Sequence, residues 1–364
     1  MPNLSIDELG GKRVRRGWPV SRLWRVIGIV TVTGMLAATA TACGASGGDA
    51  PANGLILYSG QHEQTTQALV RAFEEKTGIN VTIRSGDEAT LAAQIMQEGS
   101  RSPADVFYTE NSPPLMKLAG QHLLAPTDKA TLAAVPAADS SPAGNWVGIS
   151  ARVSTLVYNT SSLKPAQLPS SVMDLAKPEW AGKIGIAPGE TDFQPIITSI
   201  ADTYGSVAAL TWLKAVKSNA GSHVYQDNET LTSEVNSGQV QIGVINHYYW
   251  YRLEAQLGAG KTHSALHYFT AGDPGYVLNV SGAGILASST HQAAAQKFLS
   301  FLVSAAGQRV IAQTDSYEFP LRPGIAAHPG LPALSSLQPD PGDTIARLGD
   351  GSTALQLLQQ AQLG

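Results

Sequence analysis

The stretch LILYSGQHEQTTQALVRAF, residues 55–73, determines how the fold begins. Its first five residues, Leu55–Ser59, predict a short buried strand. A helix follows, because Leu69 and Phe73 recur at a helical interval, and Gly78 is expected to end it. A strand that leads into an amphipathic helix is the first part of a βαβ unit. We therefore expect an α/β fold.

The next residues continue the same alternation. A strand is predicted at residues 79–84, a helix at 88–98 and a strand at 105–108. This order implies a parallel sheet with helices on both faces, in which ligands collect beyond the carboxyl ends of the strands. His62 and Glu110 both lie just past such ends. These two side chains are therefore candidates for a ligand site.

A second region repeats the pattern. Its predicted elements are two strands and two helices, at residues 183–187, 193–204, 207–217 and 240–246. Strand-like segments at 146–149 and 153–158 precede it, and a return crossing is predicted near residues 269–281. After that crossing, the sequence predicts helices at 292–302 and 306–314, with a sparse apolar stripe in a last helix near Leu358.

The chain length favours two domains. The 364 residues exceed the ~250 residues at which a single core usually stops growing. We expect a first lobe formed by residues 54–160 together with 275–364, and a second lobe formed by residues 161–274. A ligand cleft is expected between the lobes, and we expect parallel or mixed sheets flanked by helices.

The N-terminal residues have the layout of an export signal. Basic residues precede the uncharged stretch 26–42, namely Lys12, Arg13, Arg15, Arg16, Arg22 and Arg25. The alternative is an uncleaved membrane anchor, but that stretch has 17 residues, many of them Ala, Thr or Gly, and a bilayer span takes ~20 strongly apolar residues. We expect residues 1–42 to be a signal peptide.

The only cysteine of the chain, Cys43, directly follows this stretch. It resembles the cysteine of a bacterial lipobox, although Ala40 replaces the usual leucine, and the Gly-rich residues 44–48 make a flexible tether. A single cysteine has no partner for an intramolecular disulfide. We expect residues 43–53 to be a lipidated cysteine and a tether, which anchor the protein at the outer face of the cytoplasmic membrane.

The charge balance excludes one class of partner. Removal of residues 1–42 would take away six of the 24 basic and two of the 28 acidic residues, which shifts the formal net charge from −4 to −8. Nucleic-acid binding needs a basic surface stripe, and no basic run occurs in the remaining sequence. A cationic ligand fits better.

The most unusual composition is INHYYWYRL, residues 245–253, directly after an apolar strand. Trp250 and Tyr251 are expected to pack in a core, whereas Tyr248 and Tyr249 could direct both phenol oxygens at one atom near the start of a helix. A phenol has an ordinary pKa of ~10, and a highly charged cation can convert it to a phenolate at neutral pH. Ferric iron is the common hard cation that favours anionic oxygen.

Two phenolates leave one positive charge of a ferric ion uncompensated. A carboxylate and an imidazole would complete its shell, and Glu110 and His62 offer these groups beyond strand ends. Each of these two positions is a weak signal by itself, so His62 and Glu110 are candidates to join Tyr248 and Tyr249 at a ferric ion.

Five motifs together resemble the bacterial periplasmic ferric-ion-binding proteins: LILYSGQHE (55–63), SPADVFYTEN (102–111), KIGIAPGETDFQP (183–195), INHYYWY (245–251) and YEFPLR (317–322). The similarity covers about residues 54–325. It implies a transferrin-like, two-lobed periplasmic binding-protein fold, similar to type II, and delivery of iron to an ABC permease. It also matches Tyr248 and Tyr249 to the family's phenolate ligands, Glu110 to its carboxylate ligand and His62 to its imidazole ligand.

The same resemblance implies a synergistic anion such as phosphate or carbonate. The matching positions are Asn228, Asn246 and the stretch Glu190, Thr191 and Asp192. The carboxylates of that stretch depart from the small neutral residues of the family, and they would repel phosphate. Asp192 could instead cap a helix that begins near residue 193, or Glu190 or Asp192 could contribute directly to iron binding. The YEFPLR run stays unassigned, since Arg322 could form a structural ion pair.

Two other function classes agree less well with the sequence. A binding protein of the same fold for thiamine, a polyamine or a phosphonate would explain the fold but not the four ligand-type residues. An enzyme is disfavoured, because the sequence contains no His-Glu-x-x-His or phosphate-loop motif, and the pattern Gly-x-Ser-x-Gly occurs only in the Gly-rich residues 44–48. We expect a monomeric binding protein rather than an enzyme.

Overall fold

The computed structural model describes residues 54–341 and 345–364. All of them belong to one compact unit, residues 49–364. The predicted signal peptide, Cys43 and the tether, residues 1–53, lie outside the described residues, so their assignments stay predictions. In the part of the chain that the structure describes, no helix is both long enough and apolar enough to cross a bilayer.

The first elements follow the predicted alternation. They are β1 Leu55–Ser59, α1 Glu63–Thr77, β2 Val81–Ser85, α2 Glu88–Glu98, β3 Val106–Thr109 and α3 Ser112–Gly120. Gly78 ends α1 in the left-handed conformation, and Asp87 caps α2 by accepting a hydrogen bond from the Thr90 N–H at 2.8 Å. β1 lies between β2 and β3 and pairs with both in parallel. The carboxyl ends of β1 and β3 therefore meet at one edge of the sheet.

The centre of the sheet is antiparallel. A short helix, α4 Lys129–Leu132, precedes β4 Val147–Asn159, and the remaining strands are β5 Ile184–Gly185, β6 Ile242–Asn246, β7 Ser264–His267, β8 Leu278–Ile285 and β9 Phe319–Pro320. The strand order is β2-β1-β3-β8-β4-β6-β5, with β7 and β9 also paired to β4. The sheet is therefore mixed.

One strand joins two regions of this sheet. The first part of β4, through Val153, pairs with β8, and its last part, from Ser154, pairs with β6 and β7. The two segments predicted at 146–149 and 153–158 are thus a single strand with an irregularity between Gly148 and Ser150. β8 corrects a further expectation, because it occupies part of the predicted return crossing at 269–281.

Helices cover both faces of the sheet. Those after β4 are α5 Gln194–Tyr204, α6 Ser206–Ala220, α7 Asn228–Ser237, α8 His247–Leu257, α9 Gln292–Leu302, α10 Ala305–Gln313, α11 Ile345–Leu348 and α12 Ser352–Gln360. The predicted α/β class with mixed, helix-flanked sheets is confirmed. α12 packs against α5 and α6. The lobe boundaries, including the assignment of 275–364 to the first lobe, stay predictions.

Polar side chains are buried where the strands end. β4 is buried along its whole length and includes Arg152, which is fully enclosed together with Glu318 beside β9. The turn after β1 approaches the start of α2 closely: a Cβ on Gly60 would lie 2.4 Å from the Glu88 Cβ. Glycine is therefore required at position 60, and the turn that carries His62 is pressed against Glu88.

Candidate metal centre

Five side chains meet at the ends of strands and the starts of helices. His62 occupies the N-cap position of α1 and makes no side-chain capping bond, so its imidazole can contact other groups. Glu110 lies between β3 and α3. Tyr248 and Tyr249 are in the first turn of α8, directly after β6, and Asp192 lies in a short 3₁₀ turn before α5.

The imidazole of His62 contacts the carboxylate of Glu110. Nε2 of His62 is 2.9 Å from Oε1 of Glu110, and the two side chains keep exposures of only 16% and 17%. The hydroxyl of Tyr248 lies 3.2 Å from the same Oε1. Two of the predicted ligands, His62 and Tyr248, therefore contact the same oxygen atom of a third, Glu110.

Both phenols converge on a second carboxylate. Oδ2 of Asp192 accepts hydrogen bonds from the hydroxyls of Tyr248 at 2.7 Å and Tyr249 at 3.0 Å. The hydroxyl of Tyr248 has one proton and two carboxylate neighbours, Asp192 and Glu110, so it can donate to only one of them at a time. Removal of the phenol protons would leave a ring of anionic oxygens.

A buried ion pair supports the His62 side of this cluster. The guanidinium of Arg152 contacts Glu318, which has no exposed surface, and also donates to the backbone carbonyl of Glu110. Nη2 of Arg152, the nitrogen that contacts Glu318, also lies 3.8 Å from Oε1 of Glu110. Glu318 in turn accepts hydrogen bonds from Ser150 and Gln61. Arg152 thus fixes the positions of two carboxylates.

Asn111 connects the Glu110 loop to the Asp192 turn. Its Nδ2 lies 2.9 Å from Oε1 of Glu88, 3.0 Å from Oγ1 of Thr191 and 3.2 Å from Oδ1 of Asp192. Oε2 of Glu88 accepts the backbone N–H groups of Glu110 at 2.8 Å and Asn111 at 2.9 Å. The two sides of the cluster are therefore joined by protein hydrogen bonds.

The charge states of His62 and Glu110 are set by each other. Burial alone would lower the pKa of the His62 imidazole, but the charge and hydrogen bond of Glu110 and the hydrogen bond of Glu318 raise it to about 9. Burial alone would raise the pKa of the Glu110 carboxyl, but His62 and Arg152 lower it to about 2. At neutral pH the pair is an imidazolium and a carboxylate.

The phenols are protonated instead. Burial, followed by the charges of Asp192 and Glu110, raises the pKa of both Tyr248 and Tyr249 well above 10. Burial and the Glu110 charge also raise the pKa of Asp192. Burial and the charge of Asp192 raise the pKa of Glu190 to about 8. This side of the cluster holds protons that a cation must displace.

The residues predicted to hold an anion have varied surroundings. Asn246 ends β6, and its Oδ1 accepts a hydrogen bond from Ser154 at 3.4 Å, while Asn228 is buried at the start of α7. Thr191 contacts Asn111. The alternative of Asp192 as a helix cap is wrong, because neither the 3₁₀ turn nor α5 has a side-chain cap and the Asp192 carboxylate accepts from the phenols.

Several polar residues around the cluster were not predicted. His62, Glu110 and Glu318 offer ligand atoms within 4.8 Å of one another, and Arg152, Glu88, Asn111 and Gln61 surround them. The sequence signal for Glu318 was the unassigned YEFPLR run. Arg322 in that run donates a hydrogen bond to the Val303 carbonyl at 3.0 Å.

Comparison with known proteins defines the family. A family model described as bacterial extracellular solute-binding protein matches residues 68–338. The chain belongs to this family. As a solute-binding protein it is 42% identical to the Fe(3+)-binding periplasmic protein of Serratia marcescens, over 78% of this chain and 83% of that protein. It is 35% identical to the major ferric iron-binding protein of Neisseria meningitidis serogroup A, over 84% of this chain and 92% of that protein.

A solved structure supports the same conclusion. The iron-bound HitA protein of Pseudomonas aeruginosa matches with a TM-score of 0.80 and 42% identity, covering 85% of this chain and 99% of that one. These relatives confirm the resemblance to bacterial periplasmic ferric-ion-binding proteins and the two-lobed binding-protein fold that it implied.

Proposed function

We propose that this solute-binding protein captures ferric iron with His62, Glu110, Tyr248, Tyr249 and Asp192. The observation that carries the proposal is the convergence of five donor groups: Nε2 of His62 and Oε1 of Glu110 at 2.9 Å, and the two phenol oxygens on Oδ2 of Asp192 at 2.7 and 3.0 Å. Imidazole and anionic oxygen suit a hard, highly charged cation.

The charge of these groups favours a trivalent ion. Two phenolates and the carboxylates of Glu110 and Asp192 would supply more negative charge than a divalent cation can neutralise in a buried site. Uncompensated charge away from water is costly. A ferric ion reduces that excess most among the common biological cations, and relatives named for ferric iron agree with this assignment.

A solute that stacks on aromatic rings fits less well. Tyr248 has no exposed surface and Tyr249 is 5% exposed. The Tyr248 ring is already covered by the guanidinium groups of Arg252 at 4.8 Å and Arg152 at 5.5 Å. Its hydroxyl, rather than its face, is directed at the other donor groups, so thiamine or an aromatic amine lacks a stacking surface here.

We also propose that Asp192 takes the position that a synergistic anion takes in other binding proteins. Its carboxylate already contacts both phenol oxygens, and its charge contributes to raising the pKa of the neighbouring Glu190 to about 8. Phosphate or carbonate would be repelled by the Asp192 carboxylate. Asn228, Asn246 and Thr191 then act as polar surroundings of the site rather than as anion ligands.

The test is a visible-absorption titration of the protein that lacks residues 1–42, with ferric citrate as the iron source. Phenolate bound to ferric iron gives a charge-transfer band in the visible range, which neither apoprotein nor ferric citrate produces. We expect the band to saturate at one iron per protein. Tight binding without this band, or no binding, would contradict the assignment of the phenols.

Membership of the solute-binding family supports a cellular role outside the cytoplasm. We propose that the protein is a monomer on the outer face of the cytoplasmic membrane, anchored by lipid on Cys43, and that it delivers iron to an ABC permease. Stable anchoring needs more than one acyl chain. Cys43→Ala should release the protein from the membrane fraction; full retention of this variant would point to an uncleaved N-terminal helix instead.

A further inference from the structure

Gln61 directly precedes the proposed ligand His62 and is 4% exposed. Its Oε1 lies 2.7 Å from the backbone nitrogen of His62 and 2.7 Å from Nδ1 of the same residue. Its Nε2 donates to Oε2 of Glu318 at 3.3 Å. The amide thus spans the space between the imidazole and the buried carboxylate.

The neighbours of this amide allow only one orientation. A backbone N–H is always a donor, so the Gln61 atom that faces the His62 nitrogen must be the carbonyl oxygen. The opposite orientation would also turn that oxygen towards Glu318, and two acceptors would repel. The guanidinium of Arg152 contacts Glu318 directly and holds its carboxylate as an acceptor.

The orientation of the amide determines the imidazole proton. An amide oxygen can only accept, so Nδ1 of His62 must carry a hydrogen, and Glu318 Oε1 at 3.5 Å is a second acceptor for it. Nε2 is then the nitrogen that can lose its proton and bind a cation. This nitrogen faces Oε1 of Glu110 at 2.9 Å.

We propose that Gln61, held by Glu318 and Arg152, is a positioning residue that keeps His62 in the Nδ1–H form and presents Nε2 to iron. The inference rests on the proposed function. Metal-bound histidines usually donate their second N–H to a partner, and loss of that partner typically costs about 10- to 100-fold in metal affinity. Here the partner is an amide fixed by a buried ion pair.

The test uses protein labelled with ¹⁵N in histidine and loaded with gallium, a diamagnetic trivalent cation. Long-range ¹H–¹⁵N correlation spectra distinguish the two ring nitrogens, and loss of signals in His62→Asn identifies those of His62. The wild type is compared with Gln61→Leu, which has similar volume but no acceptor. Gln64→Leu is the matched control, because Gln64 is an exposed residue in the first turn of α1, three positions after Gln61.

In the wild type and in Gln64→Leu we expect a proton on Nδ1 and gallium on Nε2. In Gln61→Leu we expect the Nδ1 proton to exchange faster with solvent, and gallium affinity, measured by competition with citrate, to fall by about 10- to 100-fold. Thermal unfolding of the metal-free variants checks that the fold is kept.

Three outcomes would overturn the inference. Gallium on Nδ1 in the wild type would do so without any substitution, so the test holds even if Gln61→Leu does not fold. A folded Gln61→Leu variant with wild-type affinity and an equally protected Nδ1 proton would do so as well. Failure of the wild type to bind gallium or iron would instead overturn the proposed function, and this inference with it.

Discussion

The metal centre has two halves that differ in charge before any cation arrives. The loop half, His62 and Glu110, is an ion pair at neutral pH, since the pKa of His62 is raised to about 9 and that of Glu110 is lowered to about 2. The helix half, Tyr248 and Tyr249, is neutral and hydrogen-bonded to Asp192. Its phenol pKa values are raised well above 10 by burial and by neighbouring carboxylates.

This difference indicates how the site could select its cation. The loop half needs to lose only the Nε2 proton of His62 to offer two donors, which many metal ions can induce. The helix half must lose two phenol protons although both phenols are buried beside the carboxylates of Asp192 and Glu110. Only a cation of high charge density offsets that cost, so we infer that the helix half determines selectivity.

The largest effect should come from pH. Tyr248, Tyr249 and His62 each hold a proton near neutral pH because their pKa values are raised, and iron must displace all three. Each displaced proton makes affinity fall about tenfold per pH unit of acidification, so affinity for the free ion should fall about a thousandfold per unit.

Competition against a chelator, corrected for protonation of the chelator and hydrolysis of iron, measures this slope. Proton release on iron binding in weakly buffered solution gives an independent count of the displaced protons. Release of a single proton per iron would mean that the helix half keeps its phenol protons, and the comparison between the halves would then be wrong.

Substitution of the helix half should have the next largest effect. The double variant Tyr248→Phe and Tyr249→Phe removes both phenol oxygens, so it should lose the visible band. Its iron affinity should fall by more than about 100-fold, because loss of a direct ligand costs more than loss of an outer partner. Tyr251→Phe is the matched control, because it makes the same chemical change on α8, where Tyr251 stacks on Tyr317 with ring centroids 5.8 Å apart. A coloured double variant would move iron binding away from the phenols.

The smallest effect is expected at Asp192. Asp192→Asn keeps the size of the side chain and a neutral oxygen donor but removes its charge, so affinity in anion-free buffer should fall by at least about tenfold, which is the lower end of the range even for loss of an outer partner. Phosphate should restore part of this loss in the variant and have little effect on the wild type. Glu190→Gln serves as control for a neighbouring carboxyl group. Equal phosphate dependence of the wild type and Asp192→Asn would contradict the role given to Asp192.

Local sequence patterns predicted most of the fold. The helix predicted at 292–302 is α9 with the same bounds, and the one predicted at 88–98 is α2. β8, with the sequence LNVSGAGI, was missed because its Gly and Ser residues have low strand propensity. It becomes a strand because it pairs with β3 on one side and β4 on the other. That pairing involves residues distant in sequence, which local patterns cannot reveal.

The same limit applies to the metal centre. The four predicted ligands are recognisable as residue types beyond strand ends, and their contacts follow from the fold. Gln61 and Glu318 are 257 residues apart in the chain, so their hydrogen bond could not be predicted. The charge of His62 could not be predicted either, because an isolated imidazole has a pKa of ~6.5, and only the approach of Glu110 and Glu318 in the folded chain raises it.

The most direct test of the account is anomalous diffraction at the iron absorption edge from crystals of the iron-loaded protein. We expect one strong anomalous peak within coordination distance of Nε2 of His62, a carboxylate oxygen of Glu110, both phenol oxygens and the carboxylate of Asp192. A peak bound by the loop half alone, with Tyr248 and Tyr249 still hydrogen-bonded to Asp192, would contradict it.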